Sequence, residues 1–242
     1  MVKLYQLKGR IRFSEIGEDG YLTLHHLINY FQDCSTFHLE DIGLGADYFM
    51  KQDLAFYMLS WQIEINRMPI LGEKIKVGTL IHGCKGMFGY RNYLLFDEED
   101  QVLAYANLCG CFLNPKTGNF VKLTEEELVK YPIEKKWDME YLPRKIKTPN
   151  NLTYLDPITI HHYQIDTNGH VNNSQYVALA AEYLPKGELV KQVRVDYKKA
   201  AKLGDILTPA IAVEAESYYV TLCGEELVPY VVIAFRLSRK EP

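Results

Sequence analysis

The sequence lacks the marks of a membrane or secreted protein. No run of about 18 apolar residues occurs, which is the length that a membrane-spanning helix needs. The first ten residues contain no uninterrupted apolar segment, so no secretory signal is expected. The five cysteines are odd in number and form no Cys-x-x-Cys pair. We therefore expect reduced thiols in a cytoplasmic protein and no cysteine metal centre.

The sequence also lacks an excess of positive charge. A net charge of -4 and a pI near 6.0 argue against nucleic acid as the main partner, and leave small molecules and proteins. Aromatic residues, by contrast, are abundant, with 18 Tyr and 10 Phe in 242 residues. This composition favours β-sheet and a large apolar surface.

The chain contains two copies of one pattern. Residues 16–22 align with 165–171, and 71–73 align with 203–205, in the same order. Each copy continues into apolar residues at helical spacing, namely Leu24, Leu27, Ile28 and Phe31 in the first and Val177, Ala180, Ala181 and Leu184 in the second. Alternating patterns then predict strands over 55–66, 74–81, 87–96 and 102–113, and over 192–197, 206–213, 217–223 and 228–237. One helix followed by several antiparallel strands, twice, predicts an α+β fold.

The most polar part of the second copy is Asp166-Thr167-Asn168-Gly169-His170, which Val171-Asn172-Asn173 follows. Asp, Asn and Gly favour a turn, and Asn172 or Asn173 can cap the helix that begins here. A polar cluster at the positive end of a helix is suited to polarising a carbonyl group or holding developing negative charge. The motif alone leaves open an ordinary turn and cap.

This motif, with Tyr176 after it, resembles the signature of acyl-acyl carrier protein thioesterases. The similarity extends over nearly the whole chain, including residues 30–33, 61–65 and 86–91 and both Gly-acidic turns. The resemblance implies two tandem hotdog domains, each a long helix wrapped by an antiparallel sheet. The expected divisions are an acyl-chain-binding domain at 1–130, a linker at 131–152 and a catalytic domain at 153–242. The first copy has Gly17, Asp19 and Tyr21 in place of the Asp, Asn and His, so its site is degenerate.

The resemblance implies hydrolysis of acyl-acyl carrier protein thioesters to free fatty acid in fatty acid biosynthesis, without a metal or cofactor. Asp166 and His170 are the candidates to orient and deprotonate water. The Asn168 amide and a backbone N–H at the helix N-terminus are the candidates to hold the oxyanion. The other residues expected at the substrate site are Gly169, Asn172, Asn173 and Trp61.

One departure from the family pattern bears on this mechanism. The family places a Glu just before the second Gly-Asp turn, where this chain has Ala200-Ala201. The chemistry then runs without that carboxylate, uses a neighbour, or does not run. The alternatives are a coenzyme A thioesterase, a dehydratase on the same fold, and a non-catalytic acyl-binding module.

The expected partner is an acyl carrier protein, an acidic protein whose phosphopantetheine arm is also anionic. Two groups of cations are candidates to dock it, namely Lys198, Lys199 and Lys202 and, in the linker, Arg144, Lys145 and Lys147. Solvated cations without a partner are the alternative. Acyl chain length, and the choice between monomer and homodimer, are not predicted.

Overall fold

A computed structural model describes residues 3–239 of the chain. The chain divides into two units, and the main division lies between Leu142 and Pro143. Unit 1 comprises Met1–Leu59 with Asn66–Leu142, and unit 2 comprises Ser60–Ile65 with Pro143–Pro242. The short segment Ser60–Ile65 thus groups with unit 2, which the sequence pattern did not predict.

Unit 1 is a helix packed against an antiparallel sheet. Its elements are β1 (Tyr5–Arg10), α1 (Leu24–Asp41), α2 (Ala46–Lys51), β2 (Ala55–Ile65, whose last six residues belong to unit 2), β3 (Lys74–Lys85), β4 (Phe88–Phe96), β5 (Val102–Leu113) and α3 (Glu125–Leu128). The strand order is β1-β3-β4-β5-β2. Helix α1 packs against β1 and β3. Of the predicted helix face, Leu27, Ile28 and Phe31 are fully buried and Leu24 is half-buried. Each fully buried side chain contributes roughly 2 kcal/mol.

Unit 2 repeats this arrangement with a shorter helix. Its elements are β6 (Thr153–Tyr154), β7 (Ile158–Thr159), α4 (Asn173–Ala181), β8 (Glu188–Tyr197), β9 (Ile206–Glu214), β10 (Ser217–Cys223) and β11 (Pro229–Arg239). The strand order is β8-β11-β10-β9-β6, and β7 also pairs with β9. Helix α4 has nine residues against eighteen in α1. It ends early because Pro185 disfavours helical backbone at the residue before it, and Tyr183 and Leu184 already form only i to i−3 bonds.

Corresponding backbone hydrogen bonds confirm the internal repeat. Thr23 N donates to Glu15 O at 3.0 Å in unit 1, and Asn172 N donates to Gln164 O at 2.8 Å in unit 2. Likewise Leu22 N bonds Pro69 O, and Val171 N bonds Ala201 O, both at 2.9 Å. The turn, the start of the helix and the loop before the Gly-acidic turn are therefore held by the same bonds in both units.

Strand β8 departs from its predicted pattern at Asp196. The alternation with Val193 and Val195 predicts a solvent-facing side chain, but Asp196 is only 2% exposed. Its Oδ2 accepts hydrogen bonds from Lys198 Nζ at 2.8 Å and Ile146 N at 3.3 Å, and Arg144 lies 3.8 Å from Oδ1. Residues of the predicted linker therefore cover this face of the strand. Two of the proposed docking cations pair with Asp196.

None of the helices formed by residues 3–239 has the length and hydropathy needed to cross a bilayer.

The stability of unit 1 is expected to fall in mild acid because of His38. This side chain of α1 is 7% exposed, and burial together with the nearby Arg91 charge lowers its pKa to about 4. An unfolded histidine has a pKa of about 6.5 and so binds a proton in the window where folded His38 does not. Acid therefore favours unfolding, by about 2 kcal/mol between neutral pH and about pH 5.

Urea unfolding of wild type and His38→Asn, at neutral pH and in mild acid, measures this effect. The free energy of unfolding lost on acidification should be smaller in the variant by that amount, because the variant lacks His38. His25, whose pKa burial also lowers to about 4, is present in both proteins and contributes equally to both losses. His162→Asn, at an exposed histidine, is the matched control and should keep the wild-type loss. Equal losses in His38→Asn and wild type would contradict the assignment.

Candidate active site

A tight turn presents the polar motif at the start of α4. Asp166 N donates to His170 O at 2.8 Å, and Gly169 N donates to Asp166 O at 3.0 Å. Gly169 has a φ of +74°, a left-handed conformation that glycine adopts without steric cost. Gly20 takes the same role in unit 1 with a φ of +80°.

Asn172 caps α4, which decides between the two candidates. Its Oδ1 accepts hydrogen bonds from both Ser174 N and Ser174 Oγ at 2.9 Å. Asn173 is the first helical residue, and its carbonyl accepts a bond from the Tyr197 hydroxyl at 2.8 Å. The Asn173 N–H has no protein acceptor within residues 3–239. The capping side chain thus fixes where the helix begins and leaves one N–H at its positive end unpaired.

Replacing Asn172 with alanine is expected to destabilise the protein by about 1 kcal/mol, the usual cost of losing an N-cap side chain. Asn173→Ala is the matched control, because that position contributes its carbonyl and not a capping side chain. Urea unfolding of the two variants measures the difference. If both variants lose the same stability, Asn172 is not the cap that the structure assigns.

The three predicted catalytic side chains lie on this one turn, with different surroundings. Asp166 is half-buried and its Oδ1 accepts the backbone N–H of Asn168 at 2.8 Å, whereas the Asn168 side chain is exposed. His170 is half-buried, and its Nδ1 is enclosed without a hydrogen-bond partner in the described chain. Within residues 3–239 no hydrogen bond joins the Asp166 carboxylate to the His170 ring.

Two family profiles match successive parts of the sequence. The acyl-ACP thioesterase N-terminal domain matches residues 2–131, and the acyl-ACP thioesterase C-terminal domain matches residues 149–223. The chain belongs to the acyl-ACP thioesterase family. An acyl-[acyl-carrier-protein] hydrolase of Cuphea viscosissima is 28% identical over 224 residues, which is 84% of this chain and 53% of the relative. The chain spans about half the length of the curated relatives from Cuphea viscosissima that it matches.

Solved structures of this family share the fold. An acyl-ACP thioesterase from Bacteroides thetaiotaomicron has a TM-score of 0.89 at 21% identity, covering 97% of this chain and 98% of that one. The 12:0-ACP thioesterase from Umbellularia californica has a TM-score of 0.85 at 18% identity, covering 98% of both chains. The predicted α+β fold with two tandem hotdog domains is thereby confirmed. The predicted boundaries at 130 and 152 stay predictions.

The position of the missing family Glu lies after β8, in the loop before the Gly-Asp turn. Ala200 is exposed and Ala201 is fully buried. The backbone of Ala201 is held on both sides, because its N–H donates to the Tyr176 hydroxyl at 2.7 Å and its carbonyl accepts from Val171 N at 2.9 Å. The loop is thus tied both to α4 and to the polar turn.

Sequence reasoning underestimated Tyr176, which the motif includes but to which no role was given. The side chain is 2% exposed, and its ring packs edge-on to Tyr197 with centroids 5.8 Å apart. Burial raises the pKa of Tyr176 to about 12, so the hydroxyl stays protonated at neutral pH. The available signal was its helical spacing to Ala180, four residues further on and on the same buried face.

Trp61 lies in the core of unit 2, opposite Val195 across the β2–β8 pair, and is 2% exposed. The side chain of Trp61, which was predicted to lie at the substrate site, therefore lies inside the protein core. Gly169, by contrast, is exposed at the turn.

The remaining predicted docking cations differ in their surroundings. Lys199 Nζ lies 4.6 Å from the Tyr230 ring centroid, a cation–π contact. Lys145, Lys147 and Lys202 are exposed and form no ion pair within the described chain. These three are the cations left available to a partner. Within residues 3–239 no three His, Cys, Asp or Glu side chains are grouped so as to hold a metal ion.

Proposed function

We propose that this chain hydrolyses acyl-acyl carrier protein thioesters to free fatty acid and carrier protein. Membership of the family supports the reaction class. The Cuphea viscosissima relatives are named acyl-[acyl-carrier-protein] hydrolases, and the Umbellularia californica relative is named a dodecanoyl-[acyl-carrier-protein] hydrolase. The observation that carries the proposal to particular residues is the difference between the two copies of the polar turn.

Both copies have the same backbone turn, but only the second carries the polar triplet. In unit 1, Gly17 N bonds Tyr21 O at 2.9 Å, as Asp166 N bonds His170 O in unit 2. A glycine, and a tyrosine in place of the histidine, are therefore enough to form the turn. The side chains of Asp166 and His170 are not required by the backbone conformation, and this favours a chemical role.

His170 supports that role because a buried, unpaired ring nitrogen is costly. Nearly all buried polar atoms in native proteins have a partner, so each exception calls for an explanation. A substrate or water molecule at the Nδ1 of His170 would supply that partner. An imidazole is also the side chain best suited to exchange protons near neutral pH.

The proposed reaction is attack of one water molecule on the thioester carbonyl carbon. His170 accepts the proton of that water as its oxygen bonds to the carbon, with Asp166 orienting the pair. The C–S bond then breaks, and the imidazolium returns the proton to the departing phosphopantetheine sulfur. The products are the free carboxylic acid and the carrier-protein thiol.

Negative charge develops on the carbonyl oxygen during the attack. The exposed amide of Asn168 and the unpaired N–H of Asn173 are the proposed donors, and the Asn173 N–H lies at the positive end of α4. Losing one such donor typically costs about 3 kcal/mol of transition-state stabilisation. Gly169 leaves the approach to this turn open, because a Cβ there would meet no atom within 4 Å.

The acyl chain and the carrier protein are assigned to other parts of the chain. Unit 1 supplies the acyl-chain site, as the resemblance to the family implies. Lys145, Lys147 and Lys202 attract the acidic carrier protein.

We place the reaction in the cytoplasm, because all five cysteines are free thiols, as in reducing compartments.

A non-catalytic acyl-binding module is the second candidate, and Ala200 is the observation that favours it. Neither this side chain nor that of Ala201 can activate water or accept a proton. Such a module would retain acyl chains without releasing thiol.

Thiol release from purified protein tests the proposal. The substrates are matched carrier-protein and coenzyme A thioesters of medium and long acyl chains. Turnover with higher kcat/KM for the carrier-protein series supports the proposal, whereas preference for coenzyme A supports the rival thioesterase. Binding of acyl carrier protein without thiol release would establish the binding module.

A further inference from the structure

Unit 1 contains a pocket that is partly open to solvent. Apolar and aromatic side chains from α1, β2, β3 and β5 form most of its lining, among them Leu39, Phe56, Ile81 and Leu108. Pockets of this character bind small, largely apolar molecules, with a few polar groups fixing their orientation. The polar groups of this cavity therefore indicate what it binds.

The most unusual of these groups belongs to Arg91 on β4, a residue that lines the cavity and is 7% exposed. Buried charges in proteins are normally paired, because removing an ion from water costs far more than it does for a neutral group. No carboxylate within residues 3–239 forms an ion pair with Arg91. Burial also lowers the pKa of Arg91, although arginine keeps its proton at neutral pH.

The hydrogen bonds of Arg91 leave most of its donors unused. Its Nη1 lies 3.0 Å from His38 Nδ1 and donates to Thr79 Oγ1 at 3.2 Å. Both partners are neutral at physiological pH, since the pKa of His38 is lowered to about 4. Nε and Nη2 have no acceptor in the described chain. These two nitrogens form the edge of the guanidinium that binds a carboxylate through two parallel bonds.

A second donor lines the same cavity. The Tyr131 hydroxyl is buried and has no hydrogen-bond partner within residues 3–239. Burial raises the pKa of Tyr131, so the hydroxyl keeps its proton and can donate it. The cavity thus combines apolar walls with an unpaired cation and an unpaired hydroxyl. A plain alkyl chain would leave both polar groups without a partner, at a cost in free energy.

We propose that this cavity binds an aliphatic carboxylate, with its chain against the apolar walls and its carboxylate on Nε and Nη2 of Arg91. The carboxylate supplies the missing countercharge, and one of its oxygens accepts the Tyr131 hydroxyl. Two sources have this chemistry, a free fatty acid and an acyl chain that ends in a second carboxyl group. The binding site does not depend on whether the chain hydrolyses thioesters.

Calorimetric titration with decanoate and with decanol tests the proposal on the intact protein. Wild type should bind decanoate at least about tenfold more tightly than decanol, because the charged bidentate contact exists only for the acid. Arg91→Leu should lose that preference while still binding decanol, and Arg91→Lys should keep part of it. Equal affinity of wild type for both compounds would overturn the proposal without reference to any variant.

Nuclear magnetic resonance of decanoate with ¹³C in its carboxyl group gives a readout that a merely structural arginine would not change. The carboxyl group bound to wild type should remain ionised to lower pH than free decanoate, and the shift should disappear in Arg91→Leu. Thermal unfolding shows whether that variant is folded, and Arg91→Lys replaces it if not. An unshifted carboxyl titration in wild type would overturn the proposal.

Kinetics distinguish the two sources. Decanoyl thioesters are compared with thioesters of the ten-carbon dicarboxylic acid, in wild type and Arg91→Leu. A preference for the dicarboxylic substrate that the variant loses identifies the acyl chain as the source. Decanoate binding without such a preference identifies the free acid. If no thioester turns over, the proposed hydrolysis fails, while the decanoate titration still decides the binding site.

Discussion

Replacing His170 with alanine is expected to lower thioester hydrolysis by at least about a hundredfold, the usual contribution of a general base. The ring is half-buried on a turn whose backbone bonds do not involve it, so the variant should fold normally. The loss should appear in kcat more than in KM, because the base acts in the transition state. Thiol release under saturating substrate, with urea unfolding as a check on stability, measures both.

His162→Ala is the matched control, because it removes an exposed histidine from the same unit. It should retain wild-type turnover. If His170→Ala keeps more than about a tenth of the wild-type kcat, His170 is not the base and the proposed mechanism is wrong.

Asp166 permits a finer separation of structural and chemical roles. Its Oδ1 accepts the N–H of Asn168, and an asparagine oxygen at this position can accept the same bond. Asp166→Asn should therefore keep the turn but lose the negative charge, and turnover should fall with it. If Asp166→Asn is fully active while Asp166→Ala is not, the carboxylate serves only the turn.

The sequence predicted those features of the fold that depend on local pattern. Glycine at a left-handed position, a capping Asn and an apolar helix face recur in both copies, and the same backbone bonds form around each. Strands β5 and β10 have the predicted bounds. Such features are predictable because their causes lie within a few residues of one another.

Features that depend on distant partners were not predictable. Alternation along β8 correctly separates its two faces, but it cannot show that residues 143–147 cover the second one, so the burial of Asp196 was missed. For the same reason nothing in the sequence indicated that Arg91 is buried. Its neighbours His38 and Tyr131 are distant in sequence, and an arginine in a strand is usually solvent-exposed.

The candidate site was predictable as a set of residues but not as a set of contacts. Asp166, Asn168 and His170 lie together because one turn carries them all. The pattern showed neither that His170 Nδ1 is enclosed without a partner nor that the Tyr176 hydroxyl accepts a hydrogen bond from Ala201 N.

The second large effect is expected at Gly110, where two strands leave room for an aromatic ring. Gly110 on β5 pairs with Gly89 on β4, and the Phe56 ring lies against both. A Cβ on Gly110 would overlap Phe56 Cζ and would lie 2.7 Å from the backbone oxygen of Tyr57. The ring can rotate away, but the carbonyl cannot move without displacing β2.

Gly110→Ala should therefore destabilise the protein by about 3 kcal/mol, at the upper end of the usual cost of overpacking. The urea midpoint of unfolding should fall accordingly. Gly83→Ala is the matched control, because its Cβ would meet only Tyr90 Cδ2, at an ordinary 4.0 Å. That variant should remain within about 1 kcal/mol of wild type.

A second substitution separates the two obstacles. In Gly110→Ala combined with Phe56→Leu, the ring no longer opposes the new methyl group, but the Tyr57 carbonyl still does. The loss in free energy of unfolding should therefore be only partly smaller in the double variant than the sum of the losses in the two single variants. Full recovery would show that the ring alone requires glycine here. If Gly110→Ala unfolds at the wild-type midpoint, β2 and β5 do not approach as closely as described. In that case the cavity lined by Phe56 would also be wider than the structure gives.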